Sequence, residues 1–248
     1  MDLKQNETIE DLQMNGMKII QSDDGFKFGI DAVLIANFCK VRRGDRGVDL
    51  GTGTGIIPII LAAKSEASRI FGLEIQPEVS EMAQRSVAMN GLEPRIEIIN
   101  GDLKNRKQIF EKSSMDFVVS NPPYFKVDTI KSENMKKMIS RHEVKCDLND
   151  ILETASYLLK PNKPFFMIHR PDRLVDLIET GLRHKLEPKE IKFIHPDNKK
   201  APNLIMIKYV KCGNKGVKML PPLYVYNPDG TYTEDINKIY SSKVLGGF

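Results

Sequence analysis

A glycine-rich segment, VDLGTGTG, occupies residues 48 to 55. Within this segment, Asp49 is followed by glycines at alternate positions, Gly51, Gly53 and Gly55. Glycines between a strand and a helix allow backbone N–H groups to approach a ligand closely. The third glycine comes one residue earlier than in the dinucleotide fingerprint G-x-G-x-x-G, which argues against a nicotinamide dinucleotide. The segment therefore predicts a cofactor site of another kind.

A second motif, Asn121-Pro122-Pro123-Tyr124, directly follows an apolar run. The Asn121 oxygen and a backbone carbonyl held rigid by Pro122 can accept two N–H groups, while Tyr124 can stack on a planar ring. An amino nitrogen on such a ring is a poor nucleophile because its lone pair is delocalised. Alignment can supply about 7 to 11 kcal/mol of the barrier reduction, so no strong base is needed. An ordinary turn would use the same dipeptides, but the position after a strand favours a reaction site.

Acidic residues also end the two apolar runs that lie between these motifs. Glu74, followed by Ile75, lies where a doubly wound sheet places an acceptor for ribose hydroxyls, and Asp102 ends the next run. Taken singly, each acid could be a helix cap or a solvated loop residue. Their order and spacing instead predict one crevice at the carboxyl edge of a parallel sheet.

The elements that must position these residues alternate along the chain. Apolar patterning predicts helices near 26–40, 54–64, 77–90, 105–112, 148–159 and 172–184, and strands near 46–50, 69–75, 95–100, 115–120, 165–168, 189–194 and 204–210. This alternation implies right-handed crossovers and a parallel sheet. Residues 195 to 203 are too few for a helical crossover, so we expect an antiparallel pair at the end of the sheet, with the final two strands reversed. Residues 125 to 147 are predicted to form a mobile loop over the site.

The length of 248 residues fits a single domain, with 1–45 as an N-terminal helical cap, 46–212 as the catalytic core and 213–248 as a Gly/Pro-rich tail. Hydrophobic residues make up 41% and charged residues 28%, as in an ordinary soluble globule. The three cysteines, at 39, 146 and 212, are far apart and lack metal spacing, which indicates reduced thiols in a cytoplasmic protein without a metal site. No apolar run approaches the length of a membrane span.

Positive charge is concentrated in two stretches. Residues 189 to 218 hold eight lysines against two acids, and residues 126 to 145 hold six basic residues against three acids, although the net charge is only +4. Basic charge beside a reactive pocket suits an anionic polymer, and a solvated lysine-rich surface is the alternative. The predicted contacts to such a polymer are Lys126, Arg141, His142, Lys199 and Lys200. His142 is expected to contact phosphate and not to act as a base, and His169, at a strand end, is expected to be structural.

In its place after the fourth strand, Asn121–Tyr124 resembles the [Asn/Asp]-Pro-Pro-[Tyr/Phe] motif of amino-methyltransferases. A wider resemblance, to bacterial tRNA adenine-N6 methyltransferases, covers most of the chain. Those enzymes modify the adenine 3′ of the anticodon in a valine tRNA. The resemblance rests on the two motifs above and on three further segments, DGFKFGIDAVLIA at 24–36, RHE at 141–143 and LPPLYVY at 220–226.

The resemblance implies a Rossmann-like class I methyltransferase, an α/β fold with a seven-stranded, mostly parallel sheet, an antiparallel final strand and helices on both faces. It implies S-adenosylmethionine as cofactor and tRNA as partner, with no metal and no membrane; the oligomeric state is left open. Phe28, Gly29 and Asp31 would close over the methionine end of the cofactor, although Asp31 could instead cap a helix. The implied catalytic residues are Asn121, Pro122 and Tyr124, and the implied cofactor-binding residues are Phe28, Gly29, Asp31, Asp49, Gly51, Thr52, Gly53, Gly55, Glu74, Ile75, Asp102 and Asn121.

Three alternatives stay open at this point. The Asn-Pro-Pro-Tyr motif also occurs in methyltransferases that act on protein glutamine or on guanine N2 of ribosomal RNA. The glutamine enzymes and the DNA adenine enzymes carry additional domains, for which this sequence offers little room. A non-catalytic RNA-binding module of the same fold is the second alternative. The third, a nicotinamide oxidoreductase, is disfavoured by the glycine spacing.

Overall fold

The computed structural model describes residues 3–14, 16–23, 29–123 and 147–241. The helices are α1 (Ile30–Phe38), α2 (Ile56–Lys64), α3 (Pro77–Met89), α4 (Arg106–Ile109), α5 (Leu148–Leu158), α6 (Leu174–Arg183) and α7 (Glu234–Ser241). The strands are β1 (Glu7–Asp11), β2 (Lys18–Ser22), β3 (Arg46–Leu50), β4 (Arg69–Glu74), β5 (Ile96–Asn100), β6 (Phe117–Ser120), β7 (Pro164–His169), β8 (Leu186–His195), β9 (Leu204–Lys211), β10 (Lys218–Met219) and β11 (Leu223–Tyr224).

The central sheet has the order β10-β8-β9-β7-β6-β3-β4-β5, with β11 also paired to β8. Strand β9 is antiparallel to both of its neighbours, and the other pairings are parallel. The predicted α/β fold with a mostly parallel sheet and an antiparallel final core strand is therefore confirmed. The expectation that both final strands are reversed is wrong. Helix α6 carries the chain from β7 back to the start of β8, so β8 stays parallel, and only the short turn at 195–203 reverses the direction.

Apolar side chains cover both faces of the sheet, as expected for parallel strands. Within β6, Val118 packs on one face, with helices α5 and α6, while Phe117 and Val119 pack on the other, with α1, α2 and α3. Neighbouring residues of one strand thus belong to two separate hydrophobic clusters. This burial fixes the strand register on which the positions of the strand ends depend.

The N-terminal region is a β-hairpin followed by one helix, whereas the sequence predicted helix alone. Strands β1 and β2 pair only with each other, and Ile19 and Ile20 of β2 are fully buried. The Ile20 backbone N–H donates to the Ser86 hydroxyl of α3 at 3.0 Å. Arg85 of the same helix forms an ion pair with Glu7 at 2.5 Å. The hairpin is thus held to the outer face of α3 by apolar and polar contacts.

The described part of the predicted tail is folded. It adds β10, β11 and α7, and it buries Leu223, Val225 and Ile236 against the core. Residues 218–241 of the predicted tail therefore contain regular secondary structure. The Gly/Pro-rich composition reflects the tight turns between these short elements.

A buried lysine links three helices. The Lys64 side chain, at the end of α2, is 1% exposed, and its ammonium donates to Asn37 Oδ1 in α1 at 2.7 Å and to the Ile239 carbonyl in α7 at 2.5 Å. The carboxyl ends of α1 and α2 therefore lie together. Because α2 begins directly after β3, the first turns of both helices lie at the carboxyl edge of the sheet.

In the described ranges of the chain, no helix is long and apolar enough to cross a membrane. The same residues contain no group of three or more His, Cys, Asp or Glu side chains arranged to hold a metal ion.

Candidate active site

The loop between β3 and α2 depends on glycine geometry. Gly51, Gly53 and Gly55 have φ angles of 76°, 56° and 88°, in the left-handed region that other residues rarely adopt. A Cβ atom at Gly51 or Gly53 would meet open space. The amides of Gly51 and Thr52 both donate to the Leu73 carbonyl, at 2.9 and 3.0 Å, which ties the loop to β4. The loop thus presents bare backbone at the start of α2, where N–H groups favour anionic or polar ligands.

Glu74 is held against this loop. The residue is 2% exposed, and its Oε2 accepts the Gly53 amide at 3.0 Å while its Oε1 accepts the Gln76 amide at 3.0 Å. The Gly101 amide and the Asn100 side chain both donate to the Glu74 carbonyl, at 2.9 Å each. The carboxylate is therefore fixed in place before any ligand binds. Oε2 retains a lone pair for a further donor, whereas Oε1 also accepts the Gln76 side-chain amide at 3.5 Å.

The switch point of the sheet lies between β3 and β6, because the chain passes from β3 to β4 on one side and returns to β6 on the other. Ligands of open α/β sheets bind in the crevice at such a point. The Ser120 hydroxyl donates to the Leu50 carbonyl at 2.8 Å and ties the two strand ends together. Asn121 and Pro122, which directly follow Ser120, therefore lie beside the glycine loop, which directly follows Leu50.

Buried polar atoms without hydrogen-bond partners concentrate at this point. They include both carboxylate oxygens of Asp49, the Thr52 hydroxyl and the Asn121 Oδ1. Each costs about 1 to 3 kcal/mol if it stays unsatisfied, and native proteins contain few of them. Three of these four atoms lie at the end of β3 and in its loop, and the fourth directly follows β6, so the cluster indicates a ligand site. These donors and acceptors fit a polar, positively charged cofactor.

Asp49 is fully buried, and burial disfavours the charged form of its carboxyl group. Burial raises the pKa of its carboxyl to about 7; the Thr52 side chain opposes this rise and the charge of Glu74 adds to it. The carboxyl is thus close to half ionised at neutral pH. A cation bound nearby would favour the charged form.

Two other predicted acids have local backbone partners. Asp102 caps the short 3-10 turn that begins at Leu103, accepting the Lys104 amide at 2.8 Å. Asp31 lies in the first turn of α1 and accepts the Ala32 amide at 2.9 Å. Asp102 therefore acts as a cap through one of its oxygens. Asp31 does not occupy the N-cap position of α1, because that position belongs to Gly29.

The structure places most of the predicted site residues at one edge of the sheet. These are Gly29, Asp31, Asp49, Gly51, Thr52, Gly53, Gly55, Glu74, Ile75, Asp102, Asn121 and Pro122. Phe28, Tyr124, Lys126, Arg141 and His142 lie outside the described residues, as does nearly all of the predicted loop at 125–147.

Lys199 and Lys200 lie on the turn that follows β8, whose carboxyl end is at the same edge as the site. Asp197 organises this turn by accepting the amides of Lys199 and Lys200 at 2.9 and 3.1 Å. Its second oxygen forms an ion pair with the Lys200 ammonium at 3.1 Å. Both lysines are exposed, so the turn presents positive charge to solvent.

His169, at the carboxyl end of β7, is buried and its Nδ1 accepts the Arg170 amide at 2.8 Å. Burial, reinforced by the charge of Arg173, lowers the pKa of the imidazole to about 4, so the ring is neutral at pH 7. The geometry agrees with the structural role expected from the sequence.

Two supporting residues were missed by the sequence analysis. Ser120 fixes the strand end before Asn121, and Gln76 holds Glu74 through its backbone amide. A hydroxyl residue directly before the Asn-Pro-Pro motif and the N-cap position of α3 were the available signals.

Comparisons with known proteins agree with this geometry. Residues 20–146 match the family model described as Methyltransferase small domain. A predicted O-methyltransferase from Agrobacterium tumefaciens shares the fold with a TM-score of 0.71, at 21% identity, over 86% of this chain and 97% of the other. P. horikoshii TYW2, solved in complex with MeSAdo, has a TM-score of 0.58 at 14% identity, over 84% of this chain and 72% of the other.

Curated relatives are more similar in sequence. A tRNA1(Val) (adenine(37)-N6)-methyltransferase from Porphyromonas gingivalis is 30% identical, over 77% of this chain and 77% of its own length. The enzyme of that name from Bacteroides fragilis is 26% identical, over 86% of this chain and 90% of its own length. By the domain match and by these relatives, the chain belongs to the methyltransferase family in which the tRNA1(Val) (adenine(37)-N6)-methyltransferases are found.

Proposed function

We propose that this chain transfers a methyl group from S-adenosylmethionine to N6 of an adenine in a tRNA anticodon loop, in the cytoplasm. The observation that carries the proposal is the cluster of unsatisfied buried atoms on Asp49, Thr52 and Asn121 beside the glycine loop. The names of the relatives support a valine tRNA and position 37.

The residues present fit this cofactor. Glu74 would accept ribose hydroxyls with the lone pairs that its backbone partners leave open. The open backbone at Gly51 and Gly53 would lie along the cofactor, and Asp49 and Asp31 would face its positively charged end. When bound, the cofactor supplies an electrophilic methyl group on a sulfonium.

Asn121 and Pro122 would position the acceptor. The Asn121 Oδ1 and the Pro122 carbonyl would accept the two N–H groups of the adenine amine, and Tyr124 would stack on the ring. This arrangement turns the nitrogen lone pair toward the methyl group. The methylated amine then becomes acidic enough to lose its proton to water, so a general base is not required.

The RNA would be held by phosphate contacts at the edge of the same face. Lys199 and Lys200, together with Lys126, Arg141 and His142, are the proposed contacts. The target adenine has to leave its stack, which costs a few kcal/mol in a duplex and less in a loop. An unpaired loop is therefore the favoured substrate.

The deciding experiment uses the purified chain, methyl-labelled cofactor and a transcript of the valine tRNA. We expect N6-methyladenosine in the digested product and no label when guanosine replaces the adenine 3′ of the anticodon. Methyl-labelled guanine N2 in ribosomal RNA, or label in protein with none in tRNA, would overturn the assignment.

A further inference from the structure

Tyrosine rings form a ladder on the segment that follows β11. Tyr226 stacks on Tyr232 at 5.4 Å between centroids and 18° between planes, and Tyr232 stacks on Tyr240 at 5.9 Å and 17°. Tyr240 is partly buried against the core, whereas Tyr226 and Tyr232 are 42% and 38% exposed. Single exposed aromatic residues are common, but a stack of three nearly parallel rings is not explained by chance exposure.

The backbone beneath the aromatic ladder (Tyr226, Tyr232 and Tyr240) is rigidly hydrogen-bonded. Asn227 donates its amide to the Thr231 carbonyl at 2.8 Å and its side chain to the Tyr232 carbonyl at 3.0 Å. The Thr233 hydroxyl donates to the Tyr224 carbonyl at 2.7 Å. Rings that are already ordered lose little entropy when a ligand stacks on them.

The ladder is joined to the basic turn at 195–203. The Tyr226 amide donates to the Pro196 carbonyl at 2.8 Å, and His195 Nδ1 forms a hydrogen bond with the Lys200 carbonyl at 2.9 Å. The His195 ring also contacts the Tyr224 ring, with centroids 5.2 Å apart. Exposed aromatic residues and exposed lysines thus share one surface, at the same sheet edge as Asn121.

The nearby acids do not dominate this surface. Asp229 accepts the Thr231 hydroxyl at 2.6 Å inside the turn, and Glu234 forms an ion pair with Lys238 at 2.7 Å. Asp197 forms an ion pair with the Lys200 ammonium at 3.1 Å, so Lys199 carries most of the available positive charge on this rim. Flat aromatic faces beside positive charge are what proteins use to bind single-stranded nucleic acid.

We propose that the aromatic ladder, through the outer ring Tyr226 that Tyr232 supports from behind, is a stacking platform for an unpaired base of the same RNA whose adenine enters the catalytic site; this rests on the proposed function. Strand β11 is four strand spacings from β6, or about 19 Å. About five or six stacked nucleotides at about 3.4 Å each span that distance. The ladder would then bind a base some nucleotides away from the target adenine, while Lys199 and Lys200 bind the phosphates between them.

The test compares Tyr226→Leu and Tyr232→Leu with the matched control Tyr226→Phe, which keeps the ring and loses the hydroxyl. Filter binding of the valine tRNA across a salt series is the measurement. Loss of one stacked base should weaken affinity by about fivefold to a hundredfold at fixed salt. The log-log salt slope should not change, because no phosphate contact is lost. The Phe variant should bind like the wild type.

Leucine variants that bind tRNA like the wild type would overturn the proposal. The same holds if these variants lose only the binding of another protein and keep their affinity for tRNA. A salt slope that falls together with affinity would also overturn it. If either variant unfolds, the wild-type protein gives the answer through 5-bromouridine placed across the anticodon loop. Photocrosslinks at Tyr226 or Tyr232 support the platform, and crosslinks confined to other residues contradict it.

The two proposals fail separately. Wild-type protein that binds tRNA through the ladder but transfers no methyl group would refute the proposed function alone. Normal methylation and normal tRNA affinity in the leucine variants would refute the ladder alone.

Discussion

The Gly53 amide donates a 3.0 Å hydrogen bond to Oε2 of Glu74, so the glycine loop and the buried carboxylate form one unit. The acid that would bind the ribose also holds the loop that would lie along the cofactor. Substitution of Glu74 is therefore expected to affect both parts at once.

Glu74→Ala should weaken S-adenosylmethionine binding by about 1.5 to 3 kcal/mol, about a tenfold to hundredfold loss, because charge-assisted hydrogen bonds disappear and the loop loses its anchor. Isothermal titration would measure this. Glu78→Ala, an exposed acid in the first turn of α3, is the control and should bind normally. Equal affinities for the wild type and the Glu74 variant would show that the carboxylate is a bystander.

Asn121→Ala should abolish transfer and leave cofactor affinity nearly unchanged, because the buried Oδ1 is assigned to the acceptor amine. Asn121→Asp keeps an acceptor oxygen and should retain measurable activity. Labelled methyl transfer and calorimetric titration of both variants check this prediction. A large loss of cofactor affinity in the alanine variant would contradict the assigned role.

Cofactor binding should release a proton near neutral pH. Burial raises the pKa of Asp49 from 3.8 to about 7, and a bound cation would lower it again. Calorimetry in buffers of different ionisation enthalpy measures the protons released, and Asp49→Asn should release fewer. The raised pKa also means that the folded chain holds an extra proton between about pH 4 and 7. In the absence of cofactor, this contribution to stability is full below pH 4 and is lost as the pH rises through 7.

Asp49→Asn should therefore remove that pH-dependent part of the free energy of unfolding. Thermal unfolding of both proteins across this range provides the comparison. Parallel stability curves would mean that Asp49 titrates at its ordinary pKa.

Lys199→Glu should raise the Michaelis constant for tRNA more than Lys200→Glu, with little change in maximal rate. The Lys200 ammonium already has Asp197 as a partner at 3.1 Å, whereas Lys199 has no ion-pair partner within the described ranges. Each lost phosphate contact should reduce the salt slope by about 0.7 to 0.9. Steady-state kinetics with filter binding would decide, and a variant defective only in turnover would argue against phosphate contact.

Lys64→Met should change how stability depends on alkaline pH. Burial lowers the pKa of Lys64 from 10.5 to about 8, so the unfolded chain binds the proton more readily between these values. The wild-type free energy of unfolding should therefore gain from this group as pH rises from about 8 to 10.5, and the variant should lack that gain. Denaturant titrations at several pH values check this, and identical pH profiles would refute it.

Sequence patterns predicted the central sheet well because burial on both faces gives short, mostly apolar runs, as in β4 and β6. They predicted the positions of Asp49, Glu74 and Asn121 because the carboxyl ends of parallel strands share one edge. The orientation of β8 was missed, because a short turn shows that two strands oppose each other but does not show which one is reversed.

The N-terminal hairpin was missed for a different reason. Strands β1 and β2 pair with each other and not with the main sheet, and Ile19 and Ile20 are buried beside α3, which lies far along the chain. The folded end of the chain likewise depends on distant contacts, such as the one between Lys64 and the Ile239 carbonyl. Such tertiary contacts leave little trace in local periodicity.

The insertion of β9 between β7 and β8 has a consequence for synthesis on the ribosome. Strand β7 and strand β8 emerge first, but neither can complete its hydrogen bonds until residues 204–211 follow. Nascent protein that stalls before Lys211 would expose the edge of β7, with its apolar residues, to other chains. Unpaired edges of this kind promote aggregation, so nascent chains truncated at this point should depend strongly on chaperones.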